Sequence, residues 1–395
     1  MVNHKDFLKF LVMLKTKVAI VSAWYAPYRV PLLREIAKRK DIDLTVIFCT
    51  EIESGRSWSV PRVLPFKAVF LKSRTIVRYK YHDMFGDKNA IRYPFGLFHA
   101  LRDADPEVVV AYEFRLECLL TALYSLMHKC AYVTWSDTTE SFDARMGSVR
   151  KLIRRALLSI SNALIGSSSD TIDYFHRSFS YPLERSFLSI LSSHVDELSK
   201  SLAVKSLRKQ PPEGNVRFLY VGQLIPRKGV DLLITAFSAL KQKFSKVLLT
   251  IVGDGPERIS LENLSTQLRC GDKIIFKGDI PHDKLWEEMV LHDVFVFPTR
   301  LDVFGLVVAE AVACGLPVIC SHWAGAARDL VADNGMIVTP ENIPELVLAM
   351  EKLVLYPDLR VRMANAGQSV LEKHNLMSAV QGFLGAVEKA ASMRS

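Results

Sequence analysis

The sequence predicts an α/β protein of two domains, each organised around a parallel sheet. The first observation is the alternation of short apolar runs with amphipathic helical stretches, the pattern of successive β-α units. The second is size: 395 residues at 49% hydrophobic content can fill two ordinary cores. The third is Ser201–Asn215, a polar stretch containing Lys209-Gln-Pro211-Pro212-Glu-Gly214, which reads as a linker. The expected domains are 1–205 and 206–375, with a helical tail over about 376–395.

In the first half, Lys17–Ser22 reads as a strand, and a helix starts near Val30 with Pro31 at an early position. Asp43–Phe48, Glu107–Ala111, Ala131–Thr134 and Ala163–Gly166 supply further strands. The loop Ala23–Arg29 lacks the G-x-G-x-x-G of a dinucleotide fold, which argues against a nicotinamide dehydrogenase. Its aromatics Trp24, Tyr25 and Tyr28 have faces that stack on sugars, although loop aromatics more often pack. Arg29 beside them suits a phosphate or an anionic acceptor. Open parallel sheets hold ligands beyond the carboxyl ends of their strands. Glu113, after Glu107–Ala111, and Asp137, in Trp135-Ser136-Asp137-Thr138, fall in such places. Tyr28, Arg29 and Glu113 are the candidates for lining such a cleft.

In the second half a buried strand, Phe218–Val221, ends at Gly222. Gln223, Pro226, Arg227 and Lys228 follow, and Gly229 precedes an apolar-periodic helix. Glycine at a strand end lets backbone approach a ligand, and lysine supplies a point charge for phosphate. Val247–Val252 runs into the Gly253–Pro256 turn, and Lys273–Gly278 into Asp279-Ile280-Pro281. Val294–Phe297 runs out at Pro298. A short loop then delivers Asp302, a Phe304-Gly305 turn and a helix opening Leu306-Val307, with Glu310 one turn in. Helix N-termini attract phosphate through free N–H groups and the helix dipole. Glu310 stands about 6 Å along the axis from Leu306 at roughly 1.5 Å per residue, the reach from a diphosphate to its ribose. Pro317–Ser321 makes another strand, with turns at Gly325 and Gly335.

Charge is uneven. Residues 1–200 hold 29 Lys/Arg against 21 Asp/Glu, whereas 201–395 hold 22 against 21. A basic first half suits an anionic partner. The sharpest case is Ser148–Ile160, where residues 149, 152, 153, 157 and 160 define an apolar face. Arg150, Lys151, Arg154 and Arg155 cluster away from that face, and an anionic membrane surface is one partner for them. No nucleic-acid-binding motif accompanies the charge. The six cysteines form no C-x-x-C pair and read as reduced thiols in a cytoplasmic chain. Phe7–Leu14 is too short to span a bilayer.

The run from Phe218 to Val347 resembles the retaining glycosyltransferases of family four, whose fold is called GT-B. Asp302 to Glu310 matches that family's E-x7-E region, with Asp in place of the first Glu. Gly222 to Gly229 matches its G-R-x-x-x-x-K-G pattern, with Gln223 in place of Arg. The resemblance implies two Rossmann-like domains facing each other across a cleft, with the C-terminal tail returning to the first. It also implies donor binding by Gly222, Gln223, Arg227, Lys228, Gly253, Phe304, Gly305, Leu306, Val307 and Glu310. The base would lie on the loop at Asp279 and Ile280, held largely through backbone atoms. Asp302 and Lys228 would serve transfer itself, and Asp137 stands where relatives carry a catalytic-region histidine or acid.

The expectation is a glycosyltransferase moving a sugar from a UDP- or GDP-sugar to an acceptor hydroxyl with retention, in cell-surface glycan assembly. Its acceptor would be a glycan or lipid-linked precursor. No cofactor is expected, and metal independence agrees with the lack of a D-x-D pair and of His/Cys metal spacing. The enzyme would be cytoplasmic, peripheral on the inner face of the membrane. Alternatives are a nucleotide-sugar epimerase of the same fold, or a non-catalytic, membrane-associated nucleotide-sugar-binding protein.

Overall fold

A computed structural model describes residues 15–51, 59–80, 88–144, 147–191 and 214–394. Phe7–Leu14 and most of the linker lie outside the described residues. The chain divides into two compact units.

The first unit contains strands β1 (Thr16–Ser22), β2 (Ile42–Phe48), β3 (Lys67–Phe70), β4 (Ser73–Lys80), β5 (Lys88–Pro94), β6 (Val108–Tyr112), β7 (Ala131–Ser136), β8 (Ala163–Gly166) and β9 (Ser186–Leu188). Seven of them form a wholly parallel sheet in the order β3-β2-β1-β6-β7-β8-β9. β4 and β5 form a separate antiparallel hairpin. The main helices are α1 (Val30–Ala37), α2 (Leu97–Ala104), α3 (Leu116–His128), α4 (Ser148–Ile160) and α5 (Ser169–Phe179). Covered on both faces, the sheet needs near-continuous apolar strands, and all six residues of β7 are buried.

The second unit holds β10 (Val216–Val221), β11 (Val247–Val252), β12 (Ile274–Gly278), β13 (Val294–Phe297), β14 (Val318–Ser321) and β15 (Gly335–Val338). They pair in parallel in the order β12-β11-β10-β13-β14-β15. Its longer helices are α6 (Val230–Lys243), α7 (Arg258–Gln267), α8 (Leu306–Ala313), α9 (Ile343–Leu355) and α10 (Pro357–Lys373). The final helix, α11 (Leu376–Ser392), belongs to the first unit, where it packs on β7, β8, β9 and α1. Phe383 of α11 meets the Trp135 ring edge-on at 5.6 Å.

The α/β reading with parallel sheets holds. Gly335, read from the sequence as a turn, instead opens β15. β3, β9 and the β4–β5 hairpin were not legible in the sequence: the first two are three- or four-residue strands, and the hairpin's positions lack a clean apolar alternation.

Candidate active site

In the second sheet the strand order reverses between β10 and β13, so a crevice opens beyond their carboxyl ends. The loops after these two strands carry most of the donor-site candidates. The Pro226–Lys228 turn is held to the β13 loop by the Arg227 carbonyl. That carbonyl accepts from Thr299 Oγ1 at 2.9 Å, Arg300 N at 2.8 Å and Leu301 N at 3.2 Å. Gly222, after β10, lies against Gly253, after β11. A side chain at Gly253 would collide with the Gly222 carbonyl oxygen, so backbone meets backbone there. Gln223 is exposed and its carbonyl accepts from Tyr220 Oη at 3.2 Å. Beyond β12, Asp279 is exposed and Ile280 half-buried.

The structure brings Arg227, Lys228 and Asp302 together. Lys228 Nζ pairs with the Asp302 carboxylate, and Arg227 Nη1 lies 3.5 Å from the same oxygen. Phe304 N donates to the other Asp302 oxygen at 3.2 Å. Burial alone would raise the Asp302 carboxyl, but the two cations and these hydrogen bonds hold it below the usual range. Lys228 Nζ also sits 5.0 Å from the Phe297 ring centroid. Gly305, at φ +90°, turns the chain into α8, and the half-buried Leu306 and Val307 form the first turn. Glu310 is buried, and its Oε1 lies 2.9 Å from Nε2 of His282. That bond raises the imidazole's pKa, against the opposing effect of burial and with help from the charges of Glu310 and Asp283. His282 went unread in the sequence. Its signal was a polar turn residue two positions after Ile280, and nothing in the chain order links it to Glu310.

The first sheet reverses between β1 and β6, and a second cluster lies there. Arg29 Nη2 donates to both Asp137 oxygens, at 2.9 and 2.8 Å. Tyr112 Oη and Ser167 Oγ donate to the same carboxylate. The guanidinium is stacked between the rings of Tyr112 and Trp135, at 4.1 and 4.3 Å, with Tyr28 at 5.8 Å. Arg29, expected to reach a phosphate or an anionic acceptor, is instead a buried counter-ion, because Asp137 lies within its reach once the sheet forms. Glu113, at φ +70°, accepts from Asp137 N at 2.7 Å and Thr138 Oγ1 at 3.1 Å, so it clasps the loop after β7. Burial first, then the charge of Asp137, pushes its carboxyl up. Tyr112 and Ser167 are members the sequence did not single out; both are strand-end residues without a motif. Of the loop aromatics, Tyr25 is buried edge-on against Phe48, and Trp24 lies 4.4 Å from the Arg115 guanidinium.

The α4 expectation needs correction. Arg154 is only 4% exposed and pairs with Asp143, with its guanidinium 4.9 Å from the Phe114 ring. Conversely, Val149 and Leu152, members of the apolar face read from the sequence, are 72% and 67% exposed. The inward side is Ile153, Arg154, Leu157, Leu158 and Ile160. Asp143, from the preceding turn of helix, rotates the buried side toward Arg154. Lys151 and Arg155 are exposed and Arg150 half-buried.

Residues 205–370 match the family model of glycosyl transferases group 1. The chain is 27% identical over 259 residues to the alpha-D-kanosaminyltransferase of Streptomyces kanamyceticus, covering 64% of this chain and 67% of that one. It is 32% identical over 157 residues to a GDP-mannose-dependent alpha-(1-6)-phosphatidylinositol monomannoside mannosyltransferase of Mycolicibacterium smegmatis. That alignment spans 38% of this chain and 41% of the relative. Among solved structures, HepE of Anabaena, determined with UDP, superposes with a TM-score of 0.73 at 16% identity, over 94% of this chain and all of that one. A likeness at that identity carries the fold, which is GT-B, two Rossmann-like domains. The second half of the chain, residues 205–370, is thus similar in sequence to the glycosyl transferases group 1, and the fold of the whole is that of GT-B proteins.

Proposed function

We propose that this protein transfers a sugar, with retention and without a metal ion, from a UDP- or GDP-sugar to a hydroxyl of a lipid-linked or cell-surface glycan precursor. The observation that carries the reading is the grouping of Arg227, Lys228 and Asp302 at the strand-order reversal, directly before the α8 N-terminus with Glu310 one turn in. Two cations and a helix start offset the charge that develops on a leaving diphosphate. Glu310 accepts hydrogen bonds from ribose hydroxyls. Asp302, already ionised by its cations, accepts from hydroxyls of the sugar. Backbone of Asp279 and Ile280 flanks the base. The named preferences of the relatives support a nucleoside-diphosphate donor: UDP in one solved neighbour and GDP-mannose in one curated relative. The phosphatidylinositol monomannoside in the latter's name supports a lipid-linked acceptor here and a place on the inner face of the membrane.

The test is a panel of UDP- and GDP-sugars screened by thermal shift, since a ligand of the native state raises stability by mass action. One donor should stabilise the protein. Lys228→Ala should then weaken the diphosphate about tenfold to a hundredfold, the worth of a hydrogen bond to a charged group. Asp302→Asn should lose transfer more than nucleotide affinity. A panel without a stabilising donor, or undiminished diphosphate affinity in Lys228→Ala, overturns the reading.

A further inference from the structure

The first unit exposes large apolar side chains on three adjoining elements. On α3, Leu119, Leu123, Leu126 and Met127 recur at i, i+4, i+7 and i+8, a single stripe, with Leu126 and Met127 more than 60% exposed. The opposite side of that helix, Cys118, Thr121, Ala122, Tyr124 and Ser125, fills the core. Its inward packing is complete without the stripe. α3 packs on α4, which exposes Val149 and Leu152, and on β5 of the hairpin, around which Ile76, Ile91, Tyr93 and Phe95 are exposed. Monomeric proteins rarely expose neighbouring apolar groups on this scale unless something covers them.

Charge identifies the cover. α3, α4, β4 and β5 together carry one acid, Glu117, and it is buried. The same elements present exposed Arg74, Lys151 and Arg155, with Arg92 and Arg150 half-exposed among the apolar groups. A protein partner would need an apolar and acidic surface of matching shape. An anionic bilayer offers both properties at once, with headgroups for the cations and acyl chains for the leucines. We infer that the α3 stripe, with the outer face of α4 and the β4–β5 hairpin, is a docking surface that inserts into the interface of an anionic membrane. This deepens the peripheral placement proposed above, and it replaces adsorption by charge alone with insertion.

Vesicle flotation tests it, read without donor or acceptor, so that failure here leaves the donor-site reading standing. The full chain should float with phosphatidylcholine vesicles containing about 30% phosphatidylglycerol, whose negative surface attracts Lys and Arg side chains. It should stay behind with phosphatidylcholine alone. Lys151→Gln with Arg155→Gln should weaken binding about fivefold per cation, more at low salt than at high. Leu123→Ser, Leu126→Ser and Met127→Ser together should weaken it at least about tenfold even at high salt. Leu126→Trp should shift its emission to the blue on adding the anionic vesicles. All these side chains are exposed, so unchanged circular dichroism is expected of each variant. Wild type that ignores anionic vesicles at low salt overturns the inference. So does binding that the serine variant retains in full, which would leave only charge. So does a lipid-free dimer abolished by the same serines, which would make a second copy the cover.

Discussion

His282 and Glu310 show how a single side chain can set the terms for a ligand. The imidazole is mostly exposed and covers a carboxylate that is almost wholly buried. Its pKa is raised above 6.5, so the pair is formed below that value and fades as pH climbs through the raised one. If ribose needs Glu310, then affinity for a nucleotide-sugar should rise with pH across that window, with proton release on binding. The donor's diphosphate does not titrate there, so the protein alone is read. Because His282 is exposed, the gain should be no more than about fivefold, the scale of a surface pair. His282→Ala should remove the slope and bind at acid pH as wild type does at pH 8. Calorimetry in buffers of differing ionisation enthalpy decides it. Weaker binding of His282→Ala at every pH would show that the imidazole touches the ligand instead.

Arg29 poses the opposite case, a buried charge whose partners are all protein. Removing it leaves the buried Asp137 carboxylate without its counter-ion, within reach of the charge of Glu113. Breaking a buried pair from one side costs about 3–5 kcal/mol. Arg29→Met should therefore lower the urea midpoint by that equivalent, and Asp137→Asn should lower it too, because the amide keeps one acceptor for Tyr112 or Ser167 and leaves Arg29 without its counter-ion. A midpoint that does not move would mean the guanidinium is replaceable by packing against Tyr112 and Trp135.

Among the elements, α4 shows where periodicity stops being decisive. Residues 149, 152, 153, 157 and 160 do make one stripe, yet 153, 154, 157, 158 and 160 make another of similar width. The choice fell to a salt bridge with Asp143, which periodicity ignores. α11 shows a sequence feature whose reason lies elsewhere. Gly382 in mid-helix has low helix propensity, but a side chain there would collide with the Leu188 carbonyl of β9, and Ser189 Oγ donates to the Ala379 carbonyl at 2.8 Å. Gly382→Val should thus destabilise the chain despite filling a helical position, and circular dichroism melts should show it. Gly367→Ala on α10, where the new carbon comes no nearer than 3.1 Å to the end of Val312 and 3.5 Å to its carbonyl, is the milder comparison.

At the scale of the whole molecule, each unit repeats one plan. A parallel sheet reverses its order in the middle, and the polar groups collect beyond the strands on either side of the reversal. In one unit they face one another as a buried network around Arg29 and Asp137, and in the other as cations beside a helix start. The basic excess belongs to residues 1–200, with 29 Lys/Arg against 21 Asp/Glu. The sequence by itself determined the α/β class, most strands of both sheets, the glycine-marked strand ends and the helix that begins at Gly305. These follow from local rules: apolar runs bury themselves, glycines turn chains, and strand-helix alternation makes sheets parallel. Only the tertiary structure decided which charges meet. Lys228 and Asp302 are 74 residues apart, Arg29 and Asp137 are 108 apart, and His282 reaches Glu310 across 28. The stripe of α3 is equally invisible in the chain, since an apolar face looks the same whether it meets a core or a membrane. Pairing and exposure are set by the folded sheets, because they depend on distances that no local spacing encodes.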